Sequence, residues 1–160
     1  MAYYPDLSLY TYYSPLGESL TTLNVGWLDR VHVYPQGEMS DVFTERLWSF
    51  CHKPVLKTRG VYGCDFCPKA NRFDIQRRGD EELLLGTAQL RVFGQGDTVY
   101  AAPDLIYHYV VAHRYCPPAE FIQAVLTGPL PGSSEYQERA RAHDWWDEAQ
   151  RWWKILEEQR

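Results

Sequence analysis

Two cysteines separated by two residues are the part of this 160-residue sequence best suited to chemistry. Cys64 and Cys67 enclose Asp-Phe and are flanked by Gly63 and Pro68, which predicts a tight turn. A turn of this kind directs two thiolates toward one point, as in the knuckles of structural zinc sites. The pair supplies half of a tetrahedral ligand set. The spacing therefore predicts a metal site whose other ligands lie elsewhere in the chain.

Three pairs of residues are candidates for the second half of the ligand set. His108 and His113 are about 140° apart on an ideal helix, so both can bind one ion only near the end of a helix. His113 with Cys116 is a second pair, and Cys51 with His52 is a third. The spacing favours the two histidines and leaves open the replacement of one of them by Cys116 or Cys51.

A site with two cysteines, two histidines and no open position is structural, because no coordination position remains for a substrate or water. The chain contains only four cysteines, which in a reducing compartment favour metal binding over disulfides. The alternative without metal is that the thiols are small buried apolar side chains and that His108 is a hydrogen-bonded core residue.

The charge balance limits the possible partners. The chain has 16 basic and 21 acidic residues and a net charge of −5, which excludes a general nucleic-acid or anionic-membrane coat protein. Residues 1–20 have neither a basic n-region nor an apolar h-region, so we predict a cytoplasmic protein. Residues 53–78 carry seven basic and two acidic side chains, which favours either a self-complementary surface or a nucleic-acid face.

The sequence around these ligands predicts an α+β protein. Ser40 is suited to cap a helix that ends before Pro54, and residues 61–101 read as a small antiparallel sheet that carries the cysteine turn. A helix over 103–114 would present the histidines, and another would follow over 119–127. The cysteine turn is thus expected to be pinned to the helix at 103–114.

The two ends of the chain are rich in aromatic residues. The first 36 residues show no regular period and are predicted to form an irregular strap that is held by tyrosines. We predict a zinc-stabilised domain over 1–128, a linker over 129–134, and one amphipathic helix over 135–160, helical as far as residue 158. The four tryptophans of this helix are expected to cover the strap, a second copy or another protein; they are Trp145, Trp146, Trp152 and Trp153.

Three segments together resemble a known family. They are the run YAAPDLIYHYVVAHRYCPPAEF at 100–121, LNVGWL at 23–28, and TRG at 58–60 ahead of the cysteine pair. Over residues 3–126 the chain resembles a family of small uncharacterised bacterial proteins, a domain of unknown function. The resemblance implies that the ligands are Cys64, Cys67, His108 and His113, and it implies no activity.

These observations predict a cytoplasmic protein with structural zinc that acts as a protein-interaction or regulatory module, including the immunity type. No motif of a catalytic site accompanies the cysteines, so a binding role is favoured over an enzyme. Two alternatives stay open. One is a zinc hydrolase with water at an open coordination position, and the other is a zinc-knuckle protein that binds nucleic acid through residues 53–78.

Overall fold

The computed structural model describes residues 2–11, 22–69, 73 and 75–159. Within these ranges the chain forms five helices and six short strands, which confirms the α+β class. The helices are α1 (Asp41–His52), α2 (Ile106–His113), α3 (Ala119–Thr127), α4 (Ser134–Ala140) and α5 (Trp146–Glu158). The strands are β1 (Thr22–Asn24), β2 (Leu56–Lys57), β3 (Gln76–Arg78), β4 (Glu81–Leu83), β5 (Ala88–Phe93) and β6 (Val99–Pro103).

Helix boundaries follow local capping chemistry where the sequence carries it. Ser40 accepts a hydrogen bond from the backbone N–H of Phe43 and starts α1, as predicted. Helix α3 ends at Gly128, also as predicted. Helix α2 begins at Ile106, later than expected, because the preceding residues to Pro103 pair in the sheet as β6.

The main sheet has four strands in the order β1-β6-β5-β2. Strand β5 pairs antiparallel with β6 and β2, whereas β1 pairs parallel with β6, so the sheet is mixed and not purely antiparallel. Strands β3 and β4 form a separate hairpin. The segment 61–69, expected to begin the sheet, contains no strand and follows an irregular course toward the cysteine turn.

Successive side chains of β5 point to opposite faces of the sheet, and both faces are buried. Leu90 and Val92 face the main core, to which all five helices contribute. Gln89 and Arg91 face the other way, where Tyr10 of the N-terminal strap donates its hydroxyl hydrogen to Gln89 and stacks on the Arg91 guanidinium. The strap thus covers one face of the sheet through an aromatic anchor, as expected, although residues 12–21 lie outside the described ranges.

The predicted helix over 135–158 is two helices, because the chain turns between Ala140 and Trp146. The N–H of His143 donates to the carbonyl of Ala140 in a tight turn, and the His143 ring stacks on Trp145. This turn brings Trp145 against Phe93 of β5. One continuous helix would present a single apolar stripe along its whole length. Because the chain turns, α4 and α5 each contribute buried side chains to the core.

Candidate metal centre

The irregular segment 61–69 carries Cys64 and Cys67 and is called the cysteine arm below. Its shape is set by its own backbone and by one aromatic ring. The N–H of Phe66 points at the Sγ of Cys64 at 3.4 Å, a contact that holds this thiol inside the turn. The ring of Phe66 packs on the rings of His113 and Tyr109 at centroid distances of 5.3 and 5.8 Å. Phe66, one of the two residues between the cysteines, therefore packs the turn against helix α2, which carries the histidines.

Helix α2 ends at the residue where two histidines on one helix can converge. His113 is its last residue, and Arg114 follows in the left-handed region at φ 56°. The hydroxyl of Tyr34 donates to the carbonyl of His113 at 3.0 Å and fixes this helix end. The sequence required an ending turn for His108 and His113 to share an ion, and the chain provides one.

The four residues predicted as ligands lie together. The Sγ of Cys64 is 3.3 Å from the Nε2 of His113, and the Sγ of Cys67 is 3.3 Å from the Nε2 of His108. The two Nε2 atoms are 3.2 Å apart. All four atoms lie within 4.8 Å of one another, and the group could hold a metal ion.

These separations match the edges of a small tetrahedron. With metal–sulfur bonds of about 2.3 Å and metal–nitrogen bonds of about 2.0–2.1 Å, two nitrogens are about 3.3 Å apart and a sulfur and a nitrogen about 3.5 Å apart. The observed contacts are within a few tenths of an ångström of these values. The residues present therefore fit a four-coordinate ion with two sulfur and two nitrogen ligands.

The other two cysteines lie outside this group. Cys51 is buried, and its thiol points at the carbonyl oxygen of Asp104 at 3.7 Å. Burial raises the pKa of Cys51 well above its usual value, so it stays a neutral thiol. Cys116 is half-buried against Gly37, and its thiol points at the carbonyl of Pro117. The structure therefore groups the two histidines with Cys64 and Cys67, and neither Cys51 nor Cys116 takes the place of a histidine in this group.

Burial sets the protonation of the ligands before a metal arrives. It raises the pKa of Cys64 to about 11, although hydrogen bonds from the N–H groups of Phe66 and Cys67 oppose the shift. Burial lowers the pKa of His113, which keeps its imidazole neutral and able to donate a lone pair. At neutral pH the metal-free site therefore holds a proton on Cys64 that a metal has to displace.

Proton displacement gives a measurable pH dependence. Because a metal binds the thiolate and the metal-free Cys64 is protonated below about pH 11, affinity is expected to rise with pH through the neutral range. Titrating Zn²⁺ at pH 7.5 in buffers of different ionisation enthalpy should show release of at least one proton per ion. Heats that do not vary with the buffer would contradict the participation of Cys64.

Asp104 is a buried acid that is not among the site residues predicted from the sequence. Its side chain is 3% exposed, and its carboxylate accepts hydrogen bonds from the N–H groups of Gly86 and Thr87 at 2.8 and 3.4 Å and from the Thr87 hydroxyl at 3.3 Å. Burial raises the pKa of Asp104 to about 6, and these hydrogen bonds limit the rise, so the group is mostly ionised at pH 7. From the sequence, an acid at this position is expected to interact favourably with the helix dipole or to pair with Arg59.

Three of the four C-terminal tryptophans are buried in the chain's own core. Trp145, Trp146 and Trp153 are 1%, 6% and 7% exposed, and Trp152 is half-buried. Trp153 donates its indole N–H to the carbonyl of Pro54 and lies against Tyr136. Within the described residues the three pack on Phe93 of β5, on Tyr136 of α4 and on one another in the main core, whereas Tyr10 of the strap lies in a separate cluster with Trp27 and Ala101. Trp152 keeps part of its surface exposed.

None of the helices found in residues 2–11, 22–69, 73 and 75–159 is both long enough and apolar enough to cross a bilayer.

The fold and the site together define an α+β protein with a Cys2His2 group that could hold a metal. A family model described as "Domain of unknown function (DUF7919)" matches residues 2–126, and the chain belongs to this family. The match includes all four residues of the group and leaves α4 and α5 outside, in agreement with the resemblance inferred from the sequence. No curated protein and no solved structure matches the chain.

Proposed function

We propose that Cys64, Cys67, His108 and His113 bind one Zn²⁺ as a closed structural site. The observation that carries the proposal is the convergence of two Sγ and two Nε2 atoms within 4.8 Å of one another. A tetrahedral set of two thiolates and two imidazoles suits zinc among the common biological metals. The bound ion would join the cysteine arm to helix α2, two parts of the chain more than forty residues apart.

We further propose that the zinc-stabilised domain acts through contacts with another protein, in a regulatory or immunity-type role in the cytoplasm. A ligand set without an open position provides rigidity and no site for a reacting molecule. Val31 and Val33, at 84% and 98% exposed, and the exposed part of Trp152 offer apolar surface to a partner or a second copy. A hydrolase would need one of the four ligands to be replaced by water.

The basic stretch over 53–78 gives the nucleic-acid alternative little support. Four of its side chains contact groups of the same chain. The partners are Glu157 for Lys53, the ring of Trp152 for Lys57, Glu82 for Arg77, and the hydroxyl of Tyr107 for Arg78. These contacts favour the self-complementary surface over a continuous face for phosphates.

Reversible removal of the metal tests the zinc proposal. Protein stripped with a chelator under reducing conditions is expected to melt at a lower temperature than the zinc-loaded protein. At free zinc about 1,000 times the dissociation constant, binding contributes about 4 kcal/mol to the free energy of unfolding. For a chain of this length that is roughly 8–16 °C. Zinc should restore the melting temperature and Mg²⁺ should not; identical melting with and without zinc would refute the proposal.

A further inference from the structure

We propose that Asp104 is a positioning residue for the metal centre. It binds no metal; its buried carboxylate fixes the segment 86–88, and this segment fixes the arm that carries Cys64. The inference rests on the proposed zinc site and adds to it a residue that joins the cysteine half to the histidine half.

The first step is the contact of the carboxylate with the segment 86–88. One oxygen of Asp104 accepts from the N–H of Gly86 at 2.8 Å, and the other accepts from the N–H and hydroxyl of Thr87. The N–H of Asp104 in turn donates to the carbonyl of Ala88 at 3.0 Å. An ionised carboxylate is costly to bury unless it is hydrogen-bonded, and these donors offset that cost.

The second step leads from this segment to the cysteines. The carbonyl of Gly86 accepts from the N–H of Tyr62, and the carbonyl of Thr87 accepts from the N–H of Thr58, both at 2.8 Å. The two residues whose N–H groups bind Asp104 therefore hold the chain segment 58–62 with their carbonyls. Cys64 follows Tyr62 by two residues, so the start of the cysteine turn is tied to this segment.

The close approach of the two segments leaves little freedom for the arm. Gly86 has a φ of +88°, and a Cβ at this position would overlap the carbonyl oxygen of Tyr62. The backbones therefore touch without an intervening side chain. A shift of Gly86 would move Tyr62 with it and displace Cys64 relative to the histidines.

The third step leads from Asp104 to the histidines. Helix α2 begins at Ile106, two residues after Asp104, and His108 lies on its first turn. The carbonyl of Asp104 accepts a hydrogen bond from the N–H of Tyr107 at 3.4 Å in the first turn of α2, while its carboxylate holds the segment to which the cysteine arm is hydrogen-bonded. One residue orients both halves of the ligand set, a role like that of the outer-shell partners that hold metal ligands in place.

The test compares the full-length protein with its Asp104→Asn variant at pH 7.5. The asparagine amide has the size of the carboxylate, but one of the two acceptor oxygens is replaced by an NH2 group. That NH2 group faces a donor of Gly86 or Thr87 and cannot accept its hydrogen bond. We expect the variant to fold and to bind Zn²⁺ about tenfold or more weakly in competition with a chromogenic chelator. The visible spectrum of bound Co²⁺ should also change, a readout that a loss of stability alone does not move. Affinity within twofold of the wild type with an unchanged Co²⁺ spectrum would overturn the inference.

Val92→Ala is the matched control, because it truncates a buried side chain of the same sheet without touching segment 86–88 or the arm. It should lower the melting temperature and leave zinc affinity unchanged. A loss of affinity as large as that of Asp104→Asn would overturn the positioning role, since general destabilisation would then explain both variants.

Thr87→Val decides the matter if Asp104→Asn does not fold. It removes the hydroxyl, which bonds Asp104 at 3.3 Å and also lies 3.5 Å from the carbonyl oxygen of Leu84, and keeps the backbone N–H bond to Asp104; zinc binding should weaken roughly threefold. Unchanged affinity in this variant would then refute the inference. A wild-type protein that binds no zinc would refute the proposed metal site itself, whereas a wild type that binds zinc and an Asp104→Asn variant that binds it equally well would refute only the role of Asp104.

Discussion

Cys64→Ser is expected to abolish stoichiometric zinc binding and to lower the melting temperature of the zinc-supplied protein by roughly 8–16 °C. The Sγ of Cys64 is 3.3 Å from the Nε2 of His113 and is 1% exposed, so no other thiol or water can take its place without a rearrangement of the arm. A serine hydroxyl is a poor zinc ligand at neutral pH. Metal analysis after gel filtration and thermal unfolding measure the two effects.

Cys116→Ser is the matched control for this variant. Cys116 is a half-buried free thiol outside the four-residue group, with its Sγ near the carbonyl of Pro117. Its replacement should leave the zinc content unchanged and the melting temperature within about 4 °C of the wild type, as for a change of less than about 1 kcal/mol. Equal losses in the Cys64 and Cys116 variants, or no loss in either, would be incompatible with the proposed ligand set.

Trp145→Ala is expected to destabilise the protein by about 3–5 kcal/mol, the usual cost of removing a fully buried large aromatic side chain. Trp145 is 1% exposed and packs on Phe93, His143 and Trp146. The melting temperature should fall by roughly 6–20 °C in thermal unfolding followed by circular dichroism.

Trp152→Ala is the control on the same pair of helices. Trp152 is half-buried and has the ammonium of Lys57 4.9 Å from its ring centroid, so its removal should cost much less. Similar losses in the two variants would contradict the assignment of Trp145 to the core. The pair also tests the predicted division into a domain over 1–128 and an appended helix: if that helix were independent, Trp145→Ala would leave the main transition unchanged.

The four residues of the candidate site could be predicted from the sequence because ligand chemistry is local. A Cys-x2-Cys turn aims its thiols by its own geometry, and the five-residue spacing of His108 and His113 fits one ion only where a helix ends. The structure has such an end at His113. Capping by Ser40 and the stop at Gly128 were predictable for the same reason.

Other features depend on contacts between distant residues and gave no local signal. The apolar stripe over 135–158 fits one helix, and only the packing of His143 and Trp145 on Phe93 explains the turn. Strand β1 pairs in parallel with β6, which places Thr22 beside Val99, and no periodicity in the sequence reveals this pairing. The proposed role of Asp104 runs through hydrogen bonds to Gly86 and Thr87, which lie 18 and 17 residues earlier in the chain, and no local sequence pattern indicates this pairing.

The coordination sphere of the bound metal is the most direct test of the closed zinc site. X-ray absorption at the zinc edge of the purified full-length protein should show two sulfur neighbours at about 2.3 Å and two imidazole nitrogens at about 2.0–2.1 Å. The spectrum should need no oxygen neighbour, and the protein should contain one zinc per chain. An oxygen shell in place of a protein ligand, a different number of sulfurs, or protein that cannot be loaded with zinc would contradict the account.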